Sequence, residues 1–310
     1  MCSPSKQIFP HPTKHEDVIW NGKEFVGKPS FEGVLAYSMP NAPTGWDDNL
    51  TDFHEEISNG RHPIDEASFI TGIANIKKYC PNFKQGGGGR LIEIGCSSGV
   101  LLRRMRRLFP NAQIVGADII NKTLRKLSKE LKKENIPTPL LCFDLIDCPL
   151  PDKSYDAVLA LNVLEHIKDH SRAVQEIHRI LKPGGVFIFE VPYGEKLFDT
   201  YDAQLHHYRR YSNAQILKLL NESGLERVYF SHLGFFLYPF FLCVKKTRAR
   251  WHITAAKQQS ICNSRLSIAL IALTSGFIVR MILKIELMLG KVLSYPFGIR
   301  CIGVFKKPEV

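Results

Sequence analysis

Between residues 90 and 192 the chain alternates short apolar runs with stretches whose apolar residues recur every three or four positions, which predicts strands and helices in turn. Leu91, Ile92 and Ile94 run into a glycine, and Val100 to Leu108 then mixes leucine and arginine at helical spacing. The predicted series is strand 90–95, helix 99–108, strand 113–118, helix 121–134, strands 138–144 and 155–161, helix 169–182 and strand 185–192. Strands separated by helices pair in parallel through right-handed crossovers, so the fold class is α/β. A helix through Ile216, Leu217, Leu219 and Leu220 follows, then strands over 226–231 and 300–306.

The flanking segments are patterned differently. Residues 1–45 hold Pro, Gly, His and aromatics without a period and read as an extended arm. Two helices are predicted after it: a short one opened by Asp47-Asp48 through Phe53 and Ile57, and a longer one opened by His62-Pro63 through Phe69, Ile70, Ile73, Ile76 and Tyr79. Gly86 to Gly89 reads as a flexible joint. The last two strands are separated by an apolar and basic segment with the aromatic run Phe235–Phe241, the bases Lys245, Lys246, Arg248 and Arg250, and a helix from about Ser264 to Leu293.

The candidate chemistry begins at Gly95. Glycines at 95 and 99 let the backbone turn sharply and approach a ligand, while free amides at the start of the next helix attract polar or anionic groups. Asp118 ends the second strand about 20 residues on, where doubly wound folds place a ribose-binding carboxylate. Cys96-Ser97-Ser98 separates the two glycines, so the three-glycine dinucleotide fingerprint is absent.

In order along the chain, Glu93-Ile-Gly-Cys-Ser-Ser-Gly99, Asp118, Asp144, Leu150-Pro-Asp-Lys-Ser-Tyr-Asp-Ala-Val158, Leu161-Asn-Val-Leu-Glu-His-Ile167 and Leu181-Lys-Pro-Gly-Gly185 resemble the motifs of the class I S-adenosylmethionine-dependent methyltransferases, specifically the type 11 methyltransferase domain. The resemblance covers roughly residues 90 to 195, and Ser97 stands where that family usually has a second loop glycine. It implies a Rossmann-like doubly wound sheet, mostly parallel with an antiparallel last strand. That domain spans 86–234 and 297–310, after a helical N-terminal extension over 1–85 and interrupted by a helical cap insertion over 235–296. It also implies S-adenosyl-L-methionine as cofactor. Glu93, Gly95, Cys96, Ser97 and Gly99 would lie along its methionine end, Asp118 and Ile119 at ribose and adenine, Asp144 and Leu145 at the adenine amino group, and Asn162 near the transferred methyl.

Ligands bind outside the carboxyl ends of strands in such sheets, which places His166 near the acceptor as a candidate general base. His207, Tyr208, Arg209, Arg210 and Tyr211 form a dense polar cluster that resembles the acceptor-side loop of similar enzymes. There His207 is the rival base, and either arginine is suited to a carboxylate or phosphate. No metal ligand is assigned: an acidic cluster of the kind used by metal-dependent catechol methyltransferases is not apparent, and metal use stays open.

Charge narrows the partner. Of the net +11, residues 225–310 carry +10, from 13 Lys and Arg against three Glu, in the most apolar part of the chain. That pairing suits an anionic membrane surface or a lipid-linked acceptor; a substrate cap or a homodimer contact explains the same pattern. Eight cysteines without paired short spacing, and no signal-peptide layout, point to the cytoplasm, with peripheral attachment to membrane left open. The leading function is methyl transfer to a small-molecule or lipid-linked acceptor. Its alternatives are an RNA methyltransferase, weakened by the lack of a nucleic-acid-binding module, and a nicotinamide-dependent oxidoreductase on a similar fold.

Overall fold

The computed structural model describes residues 6–14, 16–26, 33–37, 62–84, 88–250 and 276–309, with the side chains of 246–250 outside the description. Among the described residues the strands are β1 (Gln7–Pro10), β2 (Asp17–Trp20), β3 (Phe25–Val26), β4 (Val34–Ala36), β5 (Arg90–Ile94), β6 (Gln113–Asp118), β7 (Leu140–Cys142), β8 (Tyr155–Leu161), β9 (Leu181–Pro192), β10 (Glu226–Leu233) and β11 (Arg300–Lys306). The described helices are α1 (Pro63–Tyr79), α2 (Val100–Leu108), α3 (Asn121–Lys133), α4 (His170–Ile180), α5 (Thr200–Gln204), α6 (Asn213–Glu222), α7 (Tyr238–Arg250) and α8 (Phe277–Leu289).

Eight strands make one sheet in the order β10-β11-β9-β8-β5-β6-β7-β4. From β4 to β9 every neighbouring pair is parallel, whereas β11 runs antiparallel to both β9 and β10. The fold is therefore the expected Rossmann-like sheet with an antiparallel last strand. Its central strands are near-continuous apolar runs because helices cover both faces. Leu91 and Ile92, adjacent in β5, enter different cores: Leu91 packs with Leu101, Leu102, Leu124 and Leu127 from α2 and α3, Ile92 with Val174, Ile177 and Ile216 from α4 and α6.

The N-terminal residues depart from the expected arm. β1, β2 and β3 form a small antiparallel sheet that sends Phe9, Val18, Trp20 and Phe25 into the α4 side of the core and leaves Ile8, Ile19 and Val26 exposed. β4 then joins the main sheet beside β7, with Leu35 opposite Leu141. Residues 1–85 are thus not only a helical layer outside the sheet; they supply its outermost strand. The helix expected over 47–57 and the first part of the one expected from Ser264 lie outside the described residues.

A buried ion network fastens the rim at the carboxyl ends of the strands. Glu190 of β9 accepts from Ser68 of α1 at 2.8 Å, from Asn162 at 3.0 Å and from Arg300 of β11 at 2.9 Å, and Arg300 also reaches Asp65 at 2.6 Å. These partners are far apart in sequence, so the network closes only when α1, β9 and β11 are all in place.

Candidate active site

The turn between β5 and α2 carries positive φ at Gly95 (72°), Ser97 (44°) and Gly99 (73°). A Cβ at Gly95 would stand 2.6 Å from Val163 Cγ2, and one at Gly99 2.6 Å from Leu127 Cδ1, so both positions are closed to other residues by conformation and by space. The turn is tied to the next strand. Gly95 and Cys96 N–H donate to the Ala117 carbonyl at 2.8 and 3.0 Å, and Ser97 N–H donates to Asp118 Oδ2 at 2.9 Å.

Asp118 Oδ1 accepts from Ile120 N–H at 3.0 Å, so each carboxylate oxygen holds one amide and keeps a lone pair for another donor. Burial pushes its carboxyl above the usual range, against the amides of Ser97, Ile120 and Ile119. Glu93 lies buried beneath the turn, pushed well up by desolvation and then by Asp118, and its Oε2 has no partner among the described residues. Asp144 ends the stretch after β7 and accepts from Ile146 N–H at 3.2 Å, capping a short turn at buried Leu145; burial raises its carboxyl too. Ile119 is half-buried next to Asp118. Asn162 follows β8 at φ 54°, its backbone and side chain both donating to Glu190.

Cys96 is the exception among the loop residues. Its thiol is buried and pushed well up by desolvation, its N–H is taken by Ala117 and its carbonyl by Gly99 N–H at 2.7 Å. These contacts make Cys96 part of the turn's frame.

Across the rim, the expected acceptor residues partly converge. His166 and His207 meet edge to face, with ring centroids 4.6 Å apart. Tyr208 N–H donates to the Glu165 carbonyl at 2.8 Å, stitching the 205–211 segment to the turn after β8. Tyr208 itself is 45 % exposed, and with Arg209, Tyr211 and Lys218 it lines an open cleft of about 450 Å³. Both candidate arginines line this cleft, and both are engaged by the protein itself. Arg210 is buried, with Nε on Asp202 Oδ1 at 2.8 Å and Nη1 on the Tyr193 carbonyl at 3.2 Å. Arg209 donates to the carbonyls of Ile167 and Lys168 at 3.0 and 2.8 Å. Arg209 thus holds backbone carbonyls, and Arg210 a carboxylate and a carbonyl.

Three acids missed from the sequence organise this side. Asp202 is fully buried between His207, Arg210 and Lys245, and their donors hold its carboxyl far below the usual range. Glu190 anchors Asn162 as described. Glu165 has no exposed surface and burial pushes its carboxyl up to about 8. The sequence signal for Asp202 was its place at the head of the polar cluster; nothing local marks Glu190, which sits inside an apolar strand.

Residues 92–189 match the family model described as a methyltransferase domain. The chain carries a class I S-adenosylmethionine-dependent methyltransferase domain. Over 150 residues it is 29 % identical to the 2-phytyl-1,4-naphtoquinone methyltransferase of Nostoc punctiforme, covering 46 % of this chain and 61 % of that protein. Over 125 residues it is 30 % identical to a sterol 24-C-methyltransferase of Aspergillus fumigatus, covering 40 % of this chain and 32 % of the other. Matches to these curated relatives thus span less than two thirds of their own length. The methyltransferase fold extends further: a phosphoethanolamine N-methyltransferase from Haemonchus contortus, solved with S-adenosyl-L-methionine, superposes with a TM-score of 0.53 at 19 % identity, over 86 % of this chain and 61 % of that one. The nicotinamide and RNA readings find no support in these relatives of the domain.

Proposed function

We propose that this chain binds S-adenosylmethionine at the carboxyl ends of β5, β6 and β7 and transfers its methyl group to an apolar, lipid-linked acceptor taken from an anionic membrane surface. The residues fit the cofactor. Asp118 has lone pairs for two ribose hydroxyls, the Gly95–Gly99 turn leaves a cradle for the methionine end, and the unpartnered Glu93 oxygen beneath it suits an ammonium. Asp144 is at hand for the adenine amino group, with Ile119 against the ring. When bound, the cofactor supplies an electrophilic methyl on a sulfonium. The protein's part is to hold donor and acceptor in line and exclude water, a task worth many orders of magnitude in rate. The acceptor's proton leaves on the side where His166 and His207 stand.

The acceptor class rests on one observation: α8 shows solvent a continuous apolar stripe. Phe277 is 79 % exposed, Ile278 69 % and Val292, just beyond the helix, 84 %, with Met281, Ile285 and Met288 exposed between them. Arg280, Lys284 and Lys291 flank the stripe, while Leu283 and Glu286 on the opposite side pack inward. Leu233 pairs with Arg300, and Arg300 with Pro192 at the end of β9, so the insertion leaves and rejoins the sheet at the rim that carries the site. Among the described residues no helix is long and apolar enough to cross a membrane. A surface-lying helix is the arrangement such a stripe suits. The named acceptors of two relatives, a phytyl naphthoquinone and a sterol, are apolar in the same way. Lys245 takes no part in surface attachment, because it is buried against Asp199 and Asp202 at 2.7 and 2.8 Å.

Co-sedimentation with phosphatidylserine vesicles tests this. Each basic residue contributes about 1 kcal/mol near an anionic surface, so binding should weaken as salt rises. Changing Phe277, Ile278 and Val292 to Ser should abolish it without loss of fold. Failure of the unaltered chain to bind at low salt would refute membrane capture.

A further inference from the structure

Glu165, His166 and His207 stand together on the acceptor side, each offering a ligand atom within 4.8 Å of the other two. Two observations set this cluster apart from an ordinary buried acid beside histidines. Glu165 has no exposed surface, and neither of its carboxylate oxygens has a hydrogen-bond partner among the described residues. The nearby Arg300 is already spent on Asp65 and Glu190. A buried carboxyl left without donors is costly, and native proteins rarely tolerate one without a reason.

The second observation is His207. Its Nδ1 lies 3.2 Å from Asp202 Oδ1, and Asp202 is an ionised carboxylate held by Arg210 and Lys245. The proton therefore sits on Nδ1 and is donated to Asp202, which leaves Nε2 with its lone pair. A carboxylate fixing the far nitrogen of an imidazole in this way is the arrangement that orients histidines on metals.

We propose that Glu165, His166 and His207 bind a divalent transition ion, zinc or iron in class, with Asp202 as the residue that orients His207. Imidazole with carboxylate suits such ions better than calcium or magnesium. Three protein ligands leave a coordination position open, as in catalytic sites. Ligands about 2.1 Å from a tetrahedral ion are about 3.4 Å apart, so binding draws the three side chains together from a spacing within 4.8 Å. What the ion does rests on the methyl-transfer reading. An acceptor hydroxyl on the open position would ionise more readily and release its proton to solvent. Its oxygen would then take the methyl as the bond to sulfur breaks, leaving a thioether.

Cobalt(II) is the probe. The full chain, stripped with chelator and kept reduced, is titrated with Co²⁺ and read by visible absorption, with Zn²⁺ as competitor. One equivalent should bind with ligand-field bands and no thiolate charge-transfer band. Glu165→Gln, which keeps shape and removes charge, and His207→Ala should weaken binding by at least about tenfold. Thermal melts in chelator show that each variant is folded. Absence of binding, a thiolate band, or unchanged affinity in a folded Glu165→Gln would overturn the proposal. Calorimetry with S-adenosylmethionine on the same preparations keeps the two readings apart: cobalt binding without cofactor binding would remove the methyl-transfer reading and leave the metal site standing.

Discussion

Asp118→Ala separates the two tasks that meet at that carboxylate. In the protein alone it removes the acceptors for Ser97 and Ile120 N–H, which lie at 2.9 and 3.0 Å. Each amide bond to the carboxylate is worth about 1.5–3 kcal/mol, and removing a carboxyl that burial disfavours recovers part of that, so urea unfolding without ligand should report a net loss of about 1–3 kcal/mol. Cofactor binding should weaken further, because charge-assisted bonds to the ribose are worth about 1.5–3 kcal/mol, or about 10- to 150-fold in Kd. Asp118→Asn, which keeps one acceptor oxygen, should fall between the two in both assays. pH provides an independent handle. Burial raises this carboxyl, and hydroxyl donors favour its charged form, so affinity should decline on acidification already above the ordinary carboxylate range. Isothermal calorimetry decides the matter: a folded Asp118→Ala protein with unchanged Kd would mean that the carboxylate serves only the turn.

Two further outcomes concern stability. Ser97 sits at φ 44°, a conformation that costs an L side chain about 1–2 kcal/mol; Ser97→Gly should gain about 0.5–1 kcal/mol after glycine's extra chain entropy, seen as a higher Tm, and a lower Tm would show that the seryl side chain has its own role. His170 Nδ1 meets the Tyr211 hydroxyl at 2.8 Å, and burial, with Arg209 nearby, lowers its pKa to about 4 against the raising effect of Asp169. The unfolded chain takes up this proton near pH 6.5 and the folded chain resists it, so this stability is present above about 6.5 and is lost as pH falls towards 4. His170→Gln should flatten that limb of the urea midpoint against pH; an unaltered limb would place the titration elsewhere.

What could be read from the sequence was what is local. The β5 turn, Asp118 and Asp144 each follow an apolar run, and a strand feeding a helix leaves its signature within ten residues or so. The small N-terminal sheet escaped because four-residue strands show barely two periods, and β4 because its partner β7 lies a hundred residues away. The acceptor side was legible in residue type and not in role. His166 and His207 do meet, whereas nothing in the local sequence marks that Arg210 pairs with the buried Asp202, because a guanidinium in a polar cluster looks the same with or without a buried acid. Nor can a glutamate inside β9 announce that Arg300, 110 residues later, will pair with it.

The position of β11 has a consequence for synthesis. It lies between β9 and β10, yet it is made after both, and the insertion is made before it. Until residues 300–306 leave the ribosome, β9 and β10 each present a bare hydrogen-bonding edge, and Glu190 waits in the interior without Arg300. The nascent chain therefore spends the whole translation of the insertion as an open sheet, the state in which edge-to-edge association competes with folding. A chain held before residues 300–306 have emerged should be recognised by proteases and holdase chaperones, and the sheet seals only once β11 is outside the ribosome.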